Sequence, residues 1–320
     1  MFQRILRIIS VPLALLMGSI SVPPSRADFI LYIANGGDKT PGVLSVTSGG
    51  TVNSLSANFT DYGVAVDPSG HVFIDENSWV YEKDSNFTTI DHWASKGGWS
   101  MAVGPKGNLF VSADGQGINE ITPGNPIATN VTTQYQDAYG MAIDSTGNFF
   151  ISSGNEVDEL DPTLKTVLHR YPQASAWGVA IDPINGHLFV GTDSFGGSVM
   201  EFDPASATPE IPIHTFSGSG PNRFVRPRSL AFDSIGDLFV GDENDGNGGV
   251  IYEIAAKDVQ DGSSANISTF VSGHGITQPD QLAILEPQTP SFAPEPSSLT
   301  LLSLGLASLA ASRWRRRHNA

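Results

Sequence analysis

A thirteen-residue pattern repeats through the middle of this chain and limits its fold more than any other feature. Tyr62-Gly-Val-Ala-Val-Asp-Pro-Ser-Gly-His-Val-Phe-Ile74 returns as Trp99-Ser-Met-Ala-Val-Gly-Pro-Lys-Gly-Asn-Leu-Phe-Val111 and as Tyr139-Gly-Met-Ala-Ile-Asp-Ser-Thr-Gly-Asn-Phe-Phe-Ile151. A fourth copy, Trp177 to Val190, carries one inserted residue; a fifth runs from Arg228 to Val240; a sixth opens as Asp280-Gln-Leu-Ala-Ile-Leu285 and stops. Aligned on the shared alanine (Ala65, Ala102, Ala142, Ala180, Ala231, Ala283), the spacings are 37, 40, 38, 51 and 52 residues. Units of about 40 residues holding several short strands are the blades of a β-propeller. Each unit reads as two alternating strands joined by an Asp-x-x-Gly turn, then a third such as Val157–Leu160 or Val250–Ile254, then a polar rim strand such as Thr166–His169. Glycine supplies the left-handed residue that ends such a turn, and Pro or Ser suits its early positions. Asp67, Asp144, Asp182 and Asp233 therefore read as turn caps.

The broken sixth unit is completed from the other end of the chain. Phe29-Ile-Leu-Tyr-Ile-Ala-Asn35 matches the second strand of the repeat and Gly42–Val46 the third. The strand at Leu282–Leu285 should then be the inner strand of a blade whose outer strands come from the N-terminus, which leaves no open sheet edge. The fold class is all-β, a six-bladed propeller. Seven blades are the rival count, because the two longer spacers have room for extra strands; Thr215–Gly220 and Gly246–Gly249 read instead as loops. The motif Gly-x-Ala-x-Asp-x-x-Gly-x-Leu-Phe-Val resembles the NHL and gluconolactonase-like six-bladed propellers, from Phe29 to Leu285. That resemblance implies a fold and leaves activity open, since such propellers include hydrolases, lyases and binding scaffolds.

Both ends read as targeting segments. Arg4 and Arg7 precede an apolar run from Ile8 to Ile20, and Ser25-Arg26-Ala27 places small residues where signal peptidase reads, so cleavage after Ala27 is expected. At the other end Pro294-Glu295-Pro296 is followed by an apolar stretch, Leu299–Ser312, and by Arg313, Arg315, Arg316 and Arg317. This order resembles the PEP-CTERM sorting signal of Gram-negative bacteria. It implies a short transmembrane helix with its arginines inside, transient inner-membrane anchoring, and processing by an exosortase for release or attachment at the surface. The expected organisation is a signal peptide at 1–27, a propeller at 28–287, a linker at 288–293 and the sorting signal at 294–320.

Seven of the chain's 17 basic residues, but only Glu295 of its 33 acids, lie in those end segments. The body thus sets 10 bases against 32 acids, a net of about −22, which repels nucleic acid and acidic lipid and argues against both as partners. With no cysteine in the chain, thiol catalysis and thiolate metal sites are excluded.

The inner strands of a propeller begin near one mouth of its channel, so one repeat position forms a ring there. Three residues before the shared alanine stand Tyr62, Trp99, Tyr139, Trp177, Arg228 and Asp280. Aromatic faces stack on sugar rings and cations, which makes this a candidate binding mouth; the structural alternative is that the rings pack on each other as core. In gluconolactonase-like hydrolases the resemblance implies metal-holding carboxylates and amides at this position. Only Asp280 is an acid here, so no metal or other cofactor is expected and catalysis is not the leading reading. Asp242, Asn244 and Glu253 fall at positions one, three and twelve of a calcium-loop spacing, but Gly246 and Asn247 break it at five and six. His71 and His187 share a surface slot after the turn, and His274 sits between two glycines. No nucleophile elbow, phosphate loop or His-Glu-x-x-His is present. The leading expectation is an exported surface or matrix protein that binds a polymer, an extracellular polysaccharide or a surface protein. The alternative is a secreted propeller-type hydrolase or lyase using Asp280, Arg228 and His274.

Overall fold

The computed structural model describes residues 28–36, 41–56, 63–76, 78–95, 98–136, 138–244 and 248–286. The signal segment through Ala27, Tyr62, and the tail with Pro294, Glu295, Pro296, Arg313, Arg315, Arg316 and Arg317 lie outside these. No helix among the described residues is long and apolar enough to cross a membrane.

The described residues are all-β, with one α-helix among them, the five-residue α1 (Ala256–Gln260). It opens with β1 (Ile30–Asn35), β2 (Gly42–Thr47) and β3 (Val52–Ser54). A second sheet holds β4 (Val64–Val66), β5 (Val72–Glu76), β6 (Trp79–Lys83) and β7 (Thr89–Ala94). A third holds β8 (Met101–Val103), β9 (Leu109–Ala113), β10 (Gly117–Ile121) and β11 (Thr129–Thr132). Next come β12 (Gly140–Ile143), β13 (Phe149–Ser152), β14 (Gly154–Leu160), β15 (Val167–Ile181), β16 (Leu188–Thr192), β17 (Val199–Phe202) and β18 (His214–Phe216), joined as one seven-stranded sheet. The last complete run is β19 (Pro227–Phe232), β20 (Leu238–Asp242), β21 (Val250–Ile254) and β22 (Ser268–Ser272). Finally β23 (Pro279–Leu285) pairs antiparallel with β1, placing Tyr32 opposite Ala283 and Ile30 opposite Leu285. The expected closure by the two ends of the chain is therefore formed.

The seven-stranded sheet arises because β15 serves two neighbours. Its first part pairs with β14, Val157 opposite Tyr171, and its last residues pair with β16, Ala180 opposite Phe189. Ser175, between the two, has a left-handed backbone (φ 60°) where the strand crosses over. Pro172 is tolerated because the first part of β15 is an outermost strand, with no ladder on its far side to break. The innermost strands follow one another round an axis: β4 beside β8, β8 beside β12, β12 beside β15, β15 beside β19, β19 beside β23, and β23 back beside β4. That is a propeller-like arrangement.

Second strands read as unbroken apolar runs because sheets cover both of their faces. Phe73, Phe150, Phe189 and Phe239 from these strands are fully buried. Two sequence readings need correction. Thr215 and Phe216, expected in a loop, belong to β18, and Phe216 is fully buried. The rim strand of the second sheet is not simply polar either, since Trp93 on β7 is buried and donates its indole N–H to Asn125 O at 2.5 Å.

At two places neighbouring inner strands approach so closely that no side chain fits between them. A Cβ on Gly140 would lie 2.1 Å from Trp177 O, and one on Gly178 would lie 2.4 Å from Arg228 O. Each glycine follows a mouth residue and faces the backbone of the next inner strand.

Candidate ligand-binding mouth

Five of the predicted ring residues, Trp99, Tyr139, Trp177, Arg228 and Asp280, come together at the starts of their inner strands. Tyr139 and Trp177 stack at 4.2 Å with planes 21° apart, and Trp99 meets Trp177 edge-on at 5.7 Å and Tyr139 at 6.0 Å. All three are half-buried: they pack on one another and still reach solvent. The Arg228 guanidinium carbon sits 4.8 Å from the Trp177 ring, extending the stack with a cation.

Arg228 is buried, and its main partners are acids the ring position does not contain. Asp193, just beyond β16, takes a two-pronged contact from Nε at 3.0 Å and Nη2 at 3.2 Å. Glu243, just beyond β20, lies 2.8 Å from Nη1, whereas Asp280 is farther, at 3.6 Å. Burial alone would lower the Arg228 pKa, but the Asp193 hydrogen bonds and the Glu243 and Asp280 charges outweigh it and raise it. Burial pushes the Asp280 carboxyl up to about 7, opposed by Arg228 and by the Gln278 amide donating at 3.2 Å. Arg226 shares Asp193 and Glu243 and lies 4.6 Å over Phe195, a ring 68% exposed at the same rim. Among the described residues, Trp177 Nε1 and Asp280 Oδ2 are buried without a protein hydrogen-bond partner.

Below the rim, a cavity of about 190 Å³ is lined by all six inner strands and crossed by Gln281. Its Oε1 accepts from Val64 N and Met101 N, both at 3.0 Å, and its Nε2 donates to Met101 O at 2.6 Å. One side chain thus ties β23 to β4 and β8 and satisfies backbone groups that no ladder reaches. The signal was present in the sequence: the other copies have Gly or Ser at this slot, Gly63, Ser100, Gly140, Gly178 and Ser229.

A second repeated residue also escaped sequence reading. Glu82, Glu120, Glu159, Glu201 and Glu253 each stand opposite the phenylalanine of the preceding strand. Four of them bind the slot after the turn: His71 at 2.7 Å, Asn108 at 2.5 Å, Asn148 at 3.1 Å and His187 at 2.7 Å. His71 and His187 are therefore equivalent members of two blades and do not meet. Asp67, His71 and Glu82 come within metal-ligand reach of one another. Since asparagines make the same tie elsewhere, it reads as a clamp between strands. His214 adds a second imidazole to Glu201, at 2.7 Å.

The calcium-loop residues do not converge. Asp242 is fully buried, with its carboxylate accepting Val225 N at 2.8 Å and Arg226 N at 2.5 Å. It faces Val250, while Glu253 faces Phe239, three residues or about 10 Å further along the strand. Asn244 is half-buried beyond β20. His274 is exposed on the turn before β23, with a left-handed backbone (φ 53°). The turn aspartates cap their own turns; Asp67 accepts Ser69 N at 2.9 Å and His71 N at 2.8 Å, and Asp144 does the same for Thr146 and Asn148, each at 2.8 Å.

Asp75, on β5, gives a direct pH prediction. One oxygen accepts Gly98 N at 2.6 Å, while the other is buried without a partner among the described residues. Burial pushes its carboxyl up to about 7; the Gly98 N–H opposes this and Glu76 adds to it. Unfolded, the group ionises near about 4, so between these values the folded state holds the extra proton. Its contribution is therefore full below about 4, falls as pH rises, and stays low above about 7. Asp75→Asn is expected to be more stable than wild type at pH 8, by up to about 4 kcal/mol, and to show no such gain at pH 4. Equal gains at both pH values would mean that titration of Asp75 is not the cause.

The fold and the sorting segment define a class: an exported, propeller-like β protein handled by an exosortase. Residues 293–317 match the PEP-CTERM protein-sorting motif. In sequence, no curated protein matches this chain. In structure it is similar to a protein of unknown function from Bacteroides caccae, at 12% identity and TM-score 0.60, over 82% of this chain and all of that one. It is also similar to a chain of the mitotic checkpoint complex, at 13% identity and TM-score 0.51, over 87% and 92% of the two chains. At these identities the likeness concerns the fold alone.

Proposed function

We infer that the chain is a six-bladed propeller of the NHL and gluconolactonase-like kind that binds an extracellular polymer at its channel mouth, without catalysis. The supporting observation is the half-buried stack of Trp99, Tyr139 and Trp177 beside two buried polar atoms, Trp177 Nε1 and Asp280 Oδ2. One is a donor and one an acceptor, and buried groups of either kind ordinarily find partners. A sugar supplies an apolar ring face that stacks on the half-exposed aromatic rings. A glycan, such as an exopolysaccharide of the producing cell, is the ligand this favours. The reading takes residues 1–27 as a signal peptide, 28–287 as the binding body, 288–293 as a linker and 294–320 as the segment that directs the body to the cell surface.

The test is affinity of the purified protein for the host's own exopolysaccharide, beside a Trp99→Ala/Trp177→Ala variant with an unchanged circular dichroism spectrum. A tenfold or greater loss is expected in the variant; full binding by it, or none by wild type, overturns the reading. The hydrolase alternative draws on Asp280, whose carboxyl titrates near neutrality as a general acid or base must. Turnover of a lactone that is lost in Asp280→Asn would favour it.

A further inference from the structure

A separate groove lies between the outer parts of the second and third blades. It encloses about 490 Å³, within the range of small-molecule sites. Trp79, at the start of β6, forms one wall with Ala94 and Ser95; Gln116, Asn119 and Asn130 form the other. Trp79 is 42% exposed, whereas Trp93 is buried and Trp99 and Trp177 are half-buried. The ring is supported by His92 at 5.4 Å, which itself stacks on Tyr81 at 6.0 Å. Ser78 holds a left-handed backbone (φ 120°) just before it, and its carbonyl accepts Ser95 N at 3.0 Å. Strained backbone of this kind persists where the surroundings fix it, and here it fixes an indole facing water.

The amides opposite are ordered yet keep free capacity. Asn130 Nδ2 donates to Gln116 O at 2.9 Å and Asn119 Oδ1 at 3.1 Å, and Asn119 Nδ2 reaches Ser95 Oγ at 3.4 Å. Among the described residues, the Gln116 side-chain amide and Asn130 Oδ1 make no hydrogen bond. Amides offer donors and acceptors together, which is what hydroxyl groups require. None of the described residues lining the groove is charged, in a body with 32 acids and 10 bases. Among these described residues an anionic ligand would meet no cation and a cationic one no carboxylate.

We propose that this groove binds a neutral glycan chain, with one pyranose face on Trp79 and its hydroxyls on Gln116, Asn119 and Asn130. The site stands independently of the channel mouth and shares no residue with it.

Affinity electrophoresis of the full chain in mild detergent, through gels containing hydroxyethyl cellulose, dextran, alginate or gelatin, tests the assignment. Wild type should be retarded by at least one of the two neutral polysaccharides. Trp79→Ala should lose that retardation tenfold or more, Gln116→Ala should lose part of it, and Trp79→Phe should keep part of it. The Trp99→Ala/Trp177→Ala variant should retain the Trp79-dependent share, so failure at the mouth and failure at the groove are separable. If Trp79→Ala does not fold, Trp79→Phe and Gln116→Ala carry the comparison. No retardation of wild type in either neutral gel, retardation in gelatin or alginate alone, or unchanged retardation of all three groove variants overturns the proposal.

Discussion

Arg228→Gln is expected to destabilise the protein by about 3–5 kcal/mol at pH 8, a fall of roughly 10 °C in Tm. The buried guanidinium faces Asp193, Glu243 and Asp280, so its removal leaves three acids confined together. The loss should be smaller at pH 5, where Asp280, already pushed up to about 7, carries its proton. Arg228→Lys should fall between, because an ammonium keeps the charge but not the two-pronged contact with Asp193. Adding Asp280→Asn to Arg228→Gln should recover part of the loss. Thermal melts of the four proteins at the two pH values decide the matter; an identical loss at pH 5 and pH 8 would refute the charge account.

Gly178→Val is the second large effect, about 3 kcal/mol or more. Even a methyl group there would sit 2.4 Å from Arg228 O, a backbone atom that cannot turn aside. The next inner strand would have to retreat, and with it the register of the mouth. Gly107→Ala provides the comparison: its turn has open space around the site, so only its left-handed backbone (φ 83°) is strained, at about 1 kcal/mol. Chemical denaturation should therefore separate the two variants by about 2 kcal/mol. Equal losses would mean that close approach between inner strands is not what glycine serves at this slot.

The architecture was largely legible in the sequence because its signals are local and repeated. Alternation, the Asp-x-x-Gly turn and the shared alanine place strands pairwise, and the matching end segments bring β23 to β1. The long spacers were harder to read. One hides β18 and the other α1, and neither copies the repeat. The continuous run of β15 was hidden by Pro172, which ordinarily ends a strand but is harmless at an edge.

The candidate mouth was legible only as a list of residues at one slot. Trp99, Tyr139, Trp177 and Arg228 do gather. Asp193, Glu243 and Phe195 lie on loops after second strands, at other slots, and periodicity says nothing of which loops lean inward. The groove at Trp79 was invisible for a related reason: its walls come from two different units, and repeat alignment compares units without placing them side by side.

The pairing of β1 with β23 also imposes an order in time. An exported chain crosses the membrane N-terminus first, so Tyr32 emerges far ahead of its partner Ala283. Until the last strand arrives, β1 presents an unpaired edge on that side, the kind of edge that recruits other chains. The final strand ends at Leu285, eight residues before the sorting motif begins at residue 293. Completion of the fold and delivery of the sorting segment to its processing enzyme are therefore nearly simultaneous. A chain that stalls before Pro279 would be both unsorted and adhesive, and one that reaches the exosortase has already released the strand that seals it.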